Sequence, residues 1–153
     1  MIIGWRVRIS VMETVASTFD ASSKTKCYAS LKSVLIINGT TSGATGAGLV
    51  VLANFVAGIF GVTQVVPFWG VGLFLVAFAL LVISEGLRDT PNPKRVQLII
   101  ALDIAWVLMS LLVVIFQMFD LSMLGYILIS GVGLWVALMA WLQLQGLSAA
   151  KAR

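Results

Sequence analysis

The sequence has no histidine and only one cysteine, Cys27, among its 153 residues. The absence of histidine excludes imidazole metal sites, histidine-ligated haem and histidine general bases. A single cysteine excludes intrachain disulfides and CxxC redox motifs. The chain also holds only six acidic residues, which disfavours a self-contained hydrolase or oxidoreductase. The sequence therefore predicts a non-enzymatic protein without catalytic residues, metal ligands or a required cofactor.

Charged residues of both signs are scarce as well. They make up 10% of the chain, whereas hydrophobic residues make up 60%. Soluble domains contain about 25% charged and about 45–50% apolar residues. Because so few charges cannot cover the surface of a soluble globule, the composition predicts an integral membrane protein whose main partner is the lipid bilayer.

Four apolar stretches are long enough for membrane-spanning helices, which need about 20 residues at about 1.5 Å of rise per residue. They are residues 31–60, 67–87, 96–119 and 121–144. The connections between them are short, so consecutive helices must be antiparallel neighbours. The sequence predicts an all-α fold, an integral membrane four-helix up-down bundle over residues 31–147. An N-terminal segment (1–30) precedes the bundle, and a short tail (148–153) follows it.

The basic residues indicate which helix ends share one side of the membrane. All ten lie before the first helix, between the second and third helices, or at the end of the chain: Arg6, Arg8, Lys24, Lys26, Lys32, Arg88, Lys94, Arg95, Lys151 and Arg153. Four spans place these positions on one side, which the positive-inside rule assigns to the cytoplasm or its equivalent in an internal membrane. Both termini are therefore expected to be cytoplasmic. A nucleic-acid partner is disfavoured, because the charges form no long basic face.

Residues 1–30 allow three interpretations. Apolar and polar residues alternate over residues 3–11, which is typical of a strand but also suits a segment on the membrane interface. Alternatively, natural translation starts at Met12. A signal peptide is not predicted, because residues 13–27 are polar where an apolar core is required. Cys27 is expected to be an unremarkable thiol, with lipidation as the alternative.

The first predicted helix carries a glycine-rich run over residues 38–48. Gly39 and Gly43 form a GxxxG motif, and Gly46 continues the spacing of small residues. In lipid, small residues let helix backbones approach each other closely, so this helix is expected to pack within the protein through these three glycines. A dinucleotide-binding glycine turn is disfavoured, because it needs a soluble βαβ unit and an acidic residue about 20 positions later.

Asp103 is the residue that is most costly to place in lipid. It lies seven residues after Val96, about 10 Å into the third helix, where a carboxylate must be paired, protonated or hydrated. Asn38 reaches a similar depth in the first helix, about 9 Å beyond Lys32. The matching depths predict an Asn38–Asp103 hydrogen bond, with Ser110 on the same polar face as Asp103. We interpret this site as a structural interhelical bond, with a proton or cation site as the alternative.

Other polar and aromatic side chains occupy defined levels of the predicted bundle. Glu85 and Arg88 are three residues apart on one helix face, which predicts an interfacial ion pair. Gln143 is predicted to lie at the same membrane level as this ion pair, where we expect partial hydration to satisfy the hydrogen bonds of its amide. Trp106 and Trp135 lie deeper and are expected to pack in the bundle or line a groove between subunits. A pigment or quinone could stack there, but the sequence requires none.

Two segments resemble a family of small, uncharacterised bacterial membrane proteins with four helices. They are residues 98–110 (LIIALDIAWVLMS) and residues 140–147 (AWLQLQGL), with Gly125 between them. The resemblance covers residues 31–147 and implies a four-helix protein of a bacterial inner or internal membrane. It implies no activity, and it supplies no catalytic residues.

Two functions are expected from these features. The first is an accessory or structural subunit that packs against other membrane-protein subunits in a larger complex, since the chain is small and has short loops and glycine-rich packing faces. The second is a small transporter or channel, organised as a homo-oligomer, with Asp103 as its intramembrane polar site.

Overall fold

The computed structural model describes residues 30–151, which are helical except for short connections. The helices are α1 (Ser30–Val51), α2 (Ala53–Phe60), α3 (Val66–Gly86), α4 (Pro93–Phe116) and α5 (Met123–Lys151). Four of them, α1, α3, α4 and α5, are long and apolar enough to cross a membrane. The predicted all-α four-helix bundle is confirmed, and the chain is an integral membrane protein. The interpretations of residues 1–29, including Cys27, lie outside the described residues.

The first predicted helix is wrong as a single element, because it divides at Leu52 into α1 and α2. Leu52 has φ −105° and ψ 23°, outside the usual helical range. Helical hydrogen bonds nevertheless continue through the division, from Leu52 N to Gly48 O (2.8 Å) and from Val56 N to Leu52 O (2.9 Å). The chain is therefore distorted at Leu52 but continues in α2 without a loop.

The helix ends follow local sequence signals. Asn92 caps α4 by accepting a hydrogen bond from Lys94 N at 3.0 Å, and Pro93 occupies the first helical position, where no amide donor is needed. Gly61 ends α2 with φ 75°, a left-handed conformation that glycine adopts without steric cost. At its C-terminus, α5 runs to Lys151 rather than stopping at the predicted residue 144, since no proline interrupts the segment.

Contacts between the helices fix their directions. Near the start of α1, Gly39 lies against Ile83 near the end of α3, whereas Gly46 lies against Gly72 near the start of α3. These two helices are therefore antiparallel. We call the end of the bundle that holds the starts of α1 and α4 and the ends of α3 and α5 the basic end, because Arg88, Lys94 and Arg95 lie there.

The apolar core lies towards the basic end. All four spanning helices contribute to it: Leu31, Leu35, Phe78, Val82, Val96, Ile99, Ile100 and Leu147. At the opposite end, Ser122 joins α2 to the start of α5. Its amide donates to Phe60 O at 2.8 Å, and its hydroxyl donates to Ile59 O at 2.6 Å. A polar layer and a cavity lie between these two regions.

Candidate functional site

The glycine-rich face of α1 packs directly against α3. A Cβ atom added to Gly39 would lie 2.6 Å from Ile83 Cγ1, and one added to Gly46 would lie 2.7 Å from the backbone oxygen of Gly72. Gly43 also contacts α3, where an added Cβ would lie 3.2 Å from a side-chain carbon. All three glycines predicted from the sequence therefore occupy this contact, which we call the α1–α3 seam.

A neighbouring face of α1 carries a buried polar network centred on Asp103. Asn38 Nδ2 donates to Asp103 Oδ2 at 2.8 Å, and Gln143 Nε2 donates to the same oxygen at 3.0 Å. Asn38 and Gln143 are fully buried, and Asp103 is 3% exposed. Three spanning helices, α1, α4 and α5, are thus joined at one carboxylate oxygen.

The sequence placed Asn38 and Asp103 together but missed the third member of the network. The expectation that Gln143 is partly hydrated is wrong, because its side chain is fully enclosed. A signal for this was present in the spacing of α5. Val136, Ala140, Gln143 and Leu147 are separated by three or four residues, and all of them are buried, so they form one inward face of the helix.

Ser110 is not part of this network, contrary to the predicted grouping with Asn38 and Asp103. It follows Asp103 by seven residues on α4, which places it about 10 Å farther along the helix. There it lies against α5, where a Cβ added to Gly133 would be 3.4 Å from Ser110 Cβ. Ser110 therefore lies at a different depth in the bundle from Asn38, although each residue lies on the polar side of its own helix.

A cavity of about 270 Å³ lies beside the network, and residues of α1, α3, α4 and α5 line it. Asp103 is part of its wall. Asp103 lies about 10 Å beyond Val96, the first residue after Lys94 and Arg95, and Trp106 lies about 15 Å beyond Val96. The cavity therefore extends from the level of Asp103 to the middle of a hydrocarbon layer of about 30 Å.

One wall of the cavity consists of hydroxyl groups from α1. Thr41 Oγ1 donates to Ile37 O at 2.9 Å, and Thr45 Oγ1 donates to Thr41 O at 2.8 Å. Ser42 Oγ lies 3.5 Å from Asn38 Oδ1, to which it donates. Because these hydroxyl hydrogens are used within α1, the groups present oxygen lone pairs to the cavity.

Aromatic rings form much of the facing wall. Phe74 and Trp106 stack with their ring centroids 6.2 Å apart and their planes 6° from parallel. Phe78 also stacks with Phe74, with ring centroids 6.4 Å apart. Trp135 completes this wall and donates its indole N–H to Thr41 Oγ1 at 3.3 Å. Trp106 and Trp135, which the sequence placed at depth, therefore line a cavity within one chain.

Glu85 forms a second polar cluster at the basic end. The predicted partner, Arg88, lies with its Nε 3.5 Å from Glu85 Oε2. The sequence did not identify the other two partners, Arg95, whose Nη1 is 3.7 Å from the same oxygen, and the amide of Asn92, which donates to Oε1. Glu85 is fully buried, and it joins the end of α3 to the positively polarised start of α4.

Residues 30–151 contain no group of three or more His, Cys, Asp or Glu side chains that could hold a metal ion. Comparison with protein-family models, curated proteins and solved structures finds no match for this chain. The resemblance to small bacterial four-helix membrane proteins therefore stays a prediction, and the site has to be interpreted from its own geometry.

Proposed function

We propose that the protein is a small membrane transporter whose substrate binds in the central cavity, with Asp103 as the polar group of the site. The position of the cavity is the observation that supports this most. All four spanning helices line it, and its wall contains Asp103. Transporters bind their substrates near the middle of the bilayer, and an ionisable residue at that depth is costly unless it has a function.

Access to the cavity also fits a transporter. Trp135 and Phe74 are 42% and 47% exposed, although both belong to the cavity wall. The cavity therefore reaches the surface of the bundle between these side chains.

The proposal can be tested in liposomes that contain the purified protein and a pH-sensitive dye. A panel of small amines, carboxylates and neutral solutes is added outside, and luminal pH and solute uptake are measured. The wild-type protein is expected to accelerate the flux of at least one solute over that in empty liposomes. Asp103→Asn keeps the shape of the side chain but loses its charge, so it is expected to fold and to lose this flux. Equal flux in wild-type, variant and empty liposomes contradicts the proposal.

An accessory role in a larger complex stays a prediction, as does the absence of enzymatic activity. The exposed apolar side chains of the bundle suit lipid and the helices of a partner subunit equally well. Purification of the native protein in mild detergent distinguishes the two functions. A single species built from this chain alone, as a monomer or homo-oligomer, supports the transporter. If all of the purified protein is found in a stable complex with other subunits, the accessory role is supported.

We also propose that the basic end faces the cytoplasm. The loop between α3 and α4 contains Arg88 and precedes Lys94 and Arg95, whereas residues 61–65 at the opposite end contain no basic residue. In a Cys27→Ser background, an impermeant thiol reagent added outside cells is expected to label Thr63→Cys and to spare Thr90→Cys. Labelling of Thr90→Cys alone contradicts this orientation. Thr90 is chosen as the labelling site in this loop because it is exposed. Asn92 is less suitable, because its side chain caps α4.

A further inference from the structure

The carboxylate of Asp103 lacks a countercharge in the described part of the chain. Its two hydrogen-bond donors, Asn38 and Gln143, are neutral amides. The ion pairs found within residues 30–149 all involve Glu85 at the basic end. Both amides donate to Oδ2, and no described residue donates to Oδ1. Asp103 therefore offers the cavity a carboxylate oxygen whose charge nothing in its surroundings balances.

The rest of the polar wall offers acceptors as well. The hydroxyl hydrogens of Thr41, Ser42 and Thr45 are donated to oxygen atoms of α1, and the N–H of Trp135 is donated to Thr41. A bound anion would need donors from this wall, which these groups do not provide. A group that carries its own N–H donors would meet the oxygens of Asp103 and of Ser42, which lies one helical turn beyond Asn38. Thr45 lies about 10 Å beyond Asn38 along α1 and borders the rest of the cavity.

The facing wall distinguishes an organic cation from a metal ion or a proton. The faces of aromatic rings attract cations within about 6 Å of the ring centroid, and Phe74, Trp106 and Trp135 all line the cavity. A sodium ion or a proton would balance the charge of Asp103 but would leave these rings and most of the volume unused. At about 270 Å³, the cavity lies just below the range of about 300–1,000 Å³ that is typical of small-molecule sites.

Building on the proposed transporter function, we infer that the ligand of the cavity is a small organic cation, a protonated amine with an aromatic or aliphatic body. Its N–H groups donate to Asp103 and to the hydroxyl oxygens of α1. Its body lies against Phe74, Trp106 and Trp135.

Benzylammonium is a suitable probe, with benzyl alcohol as its neutral analogue and phenylacetate as its anionic analogue. Binding of each labelled compound is measured by equilibrium dialysis against the full-length protein in nanodiscs of neutral phosphatidylcholine, and empty nanodiscs supply the background. Benzylammonium is expected to bind saturably and more tightly than either analogue. Asp103→Asn is expected to weaken its binding about tenfold to a hundredfold, the range for loss of a charge-assisted hydrogen bond. The same variant should leave the binding of benzyl alcohol unchanged.

Two further variants keep the test decisive if Asp103→Asn does not fold. Phe74→Leu removes an aromatic face without touching the network, so it is expected to weaken benzylammonium binding severalfold. Ser42→Leu places a larger side chain in the cavity wall, one helical turn beyond Asn38, so it is expected to weaken the binding of benzylammonium and benzyl alcohol alike.

The outcomes separate this inference from the proposed function. If benzyl alcohol or phenylacetate binds wild-type protein as tightly as benzylammonium, or if Asp103→Asn and Phe74→Leu both leave benzylammonium binding unchanged, the cation inference is overturned while the cavity remains a binding site. Displacement of benzylammonium by sodium chloride but not by choline chloride would identify an inorganic cation site, which also overturns it. If Ser42→Leu leaves saturable binding intact, the ligand binds elsewhere, and both the inference and the proposed transport site are overturned. Absence of saturable binding for all three compounds overturns the inference, and the liposome experiment then decides the function separately.

Discussion

Two faces of α1 lie at the same depth of the membrane and differ sharply. The face towards α3 leaves no room for a methyl group at Gly39 or Gly46. The face towards α4 and α5 carries Asn38, Thr41 and Thr45, and it borders a cavity. Lipid provides no hydrophobic force that drives helices together, so close backbone contact and interhelical hydrogen bonds must hold them. A single helix thus fixes the architecture with one side and holds the candidate site with the other.

The same contrast distinguishes the partners of α1. Helix α3 is held against α1 by backbone contact, whereas α4 contributes its buried residues only up to Asp103. From Ile104 to Phe116, α4 has no buried residue. Beyond Asp103, α4 is therefore held by half-buried contacts, such as that of Ser110 with α5, and not by close backbone contact like that of the α1–α3 seam.

The largest expected effect comes from disrupting the seam. In Gly46→Leu, the new side chain would meet the backbone oxygen of Gly72 at 2.7 Å, and backbone atoms cannot yield without separating the helices. The expected loss in the free energy of unfolding is about 3 kcal/mol or more, at the upper end of overpacking effects. The measurement is reversible denaturation in detergent, followed by circular dichroism.

Gly48→Leu is the matched control for this substitution. Gly48 lies two residues farther along α1, and an added Cβ atom there meets nothing within 4 Å. The control variant should unfold like the wild-type protein. Equal stability of the two leucine variants would show that close contact at Gly46 does not hold the bundle together.

An intermediate effect is expected from the polar network. Asp103→Leu leaves the amides of Asn38 and Gln143 without their acceptor. It should cost about 1–2 kcal/mol, since interhelical hydrogen bonds in membranes average about 0.6 kcal/mol and reach about 1.7 kcal/mol. Gln143→Leu should cost less, because it removes one bond together with Oε1, a buried oxygen that has no hydrogen-bond partner in the described structure. Gln145→Leu, at an exposed position, is the control and should be neutral.

Double variants test whether these residues act together. Asn38→Leu combined with Asp103→Leu should cost less than the sum of the two single variants, because the second change removes a bond that is already broken. The same is expected for Gln143→Leu combined with Asp103→Leu. Strictly additive costs in both cycles would mean that the network contributes nothing to stability.

The sequence predicted the levels of residues better than their directions. Chain length and helical rise give the depth of Asn38 and Asp103, and that was enough to pair them. Depth alone does not give the rotation of a helix about its axis. Gln143 was therefore taken to be hydrated, although the packing of α5 turns it inward. Ser110 is the exception, an error of level: it was grouped with Asn38 and Asp103, although it lies about 10 Å farther along α4.

Two other features depend on contacts that no single helix specifies. The division at Leu52 has no proline or glycine at that position to indicate it, so the first helix was expected to run unbroken to residue 60. The cavity is lined by side chains from four helices, among them Thr45 on α1 and Trp135 on α5. The position of the cavity depends on how the four helices are rotated relative to one another. The apolar pattern of a single helix does not specify this rotation.

The smallest effect on stability is expected at Gly131 on α5, an open position. Gly133, on the same helix, is the packed position with which it is compared. A Cβ atom added to Gly131 meets nothing within 4 Å, whereas one added to Gly133 lies 3.4 Å from Ser110 Cβ. Gly131→Leu should therefore change the free energy of unfolding by less than about 0.5 kcal/mol, since the position is exposed and no atom opposes the new side chain. Gly133→Leu should cost about 1–3 kcal/mol, because the longer side chain overfills the contact with α4. If Gly131→Leu proves as destabilising as Gly133→Leu, the face of α5 at Gly131 is as closely packed as the face at Gly133, and the contrast between the two positions is wrong.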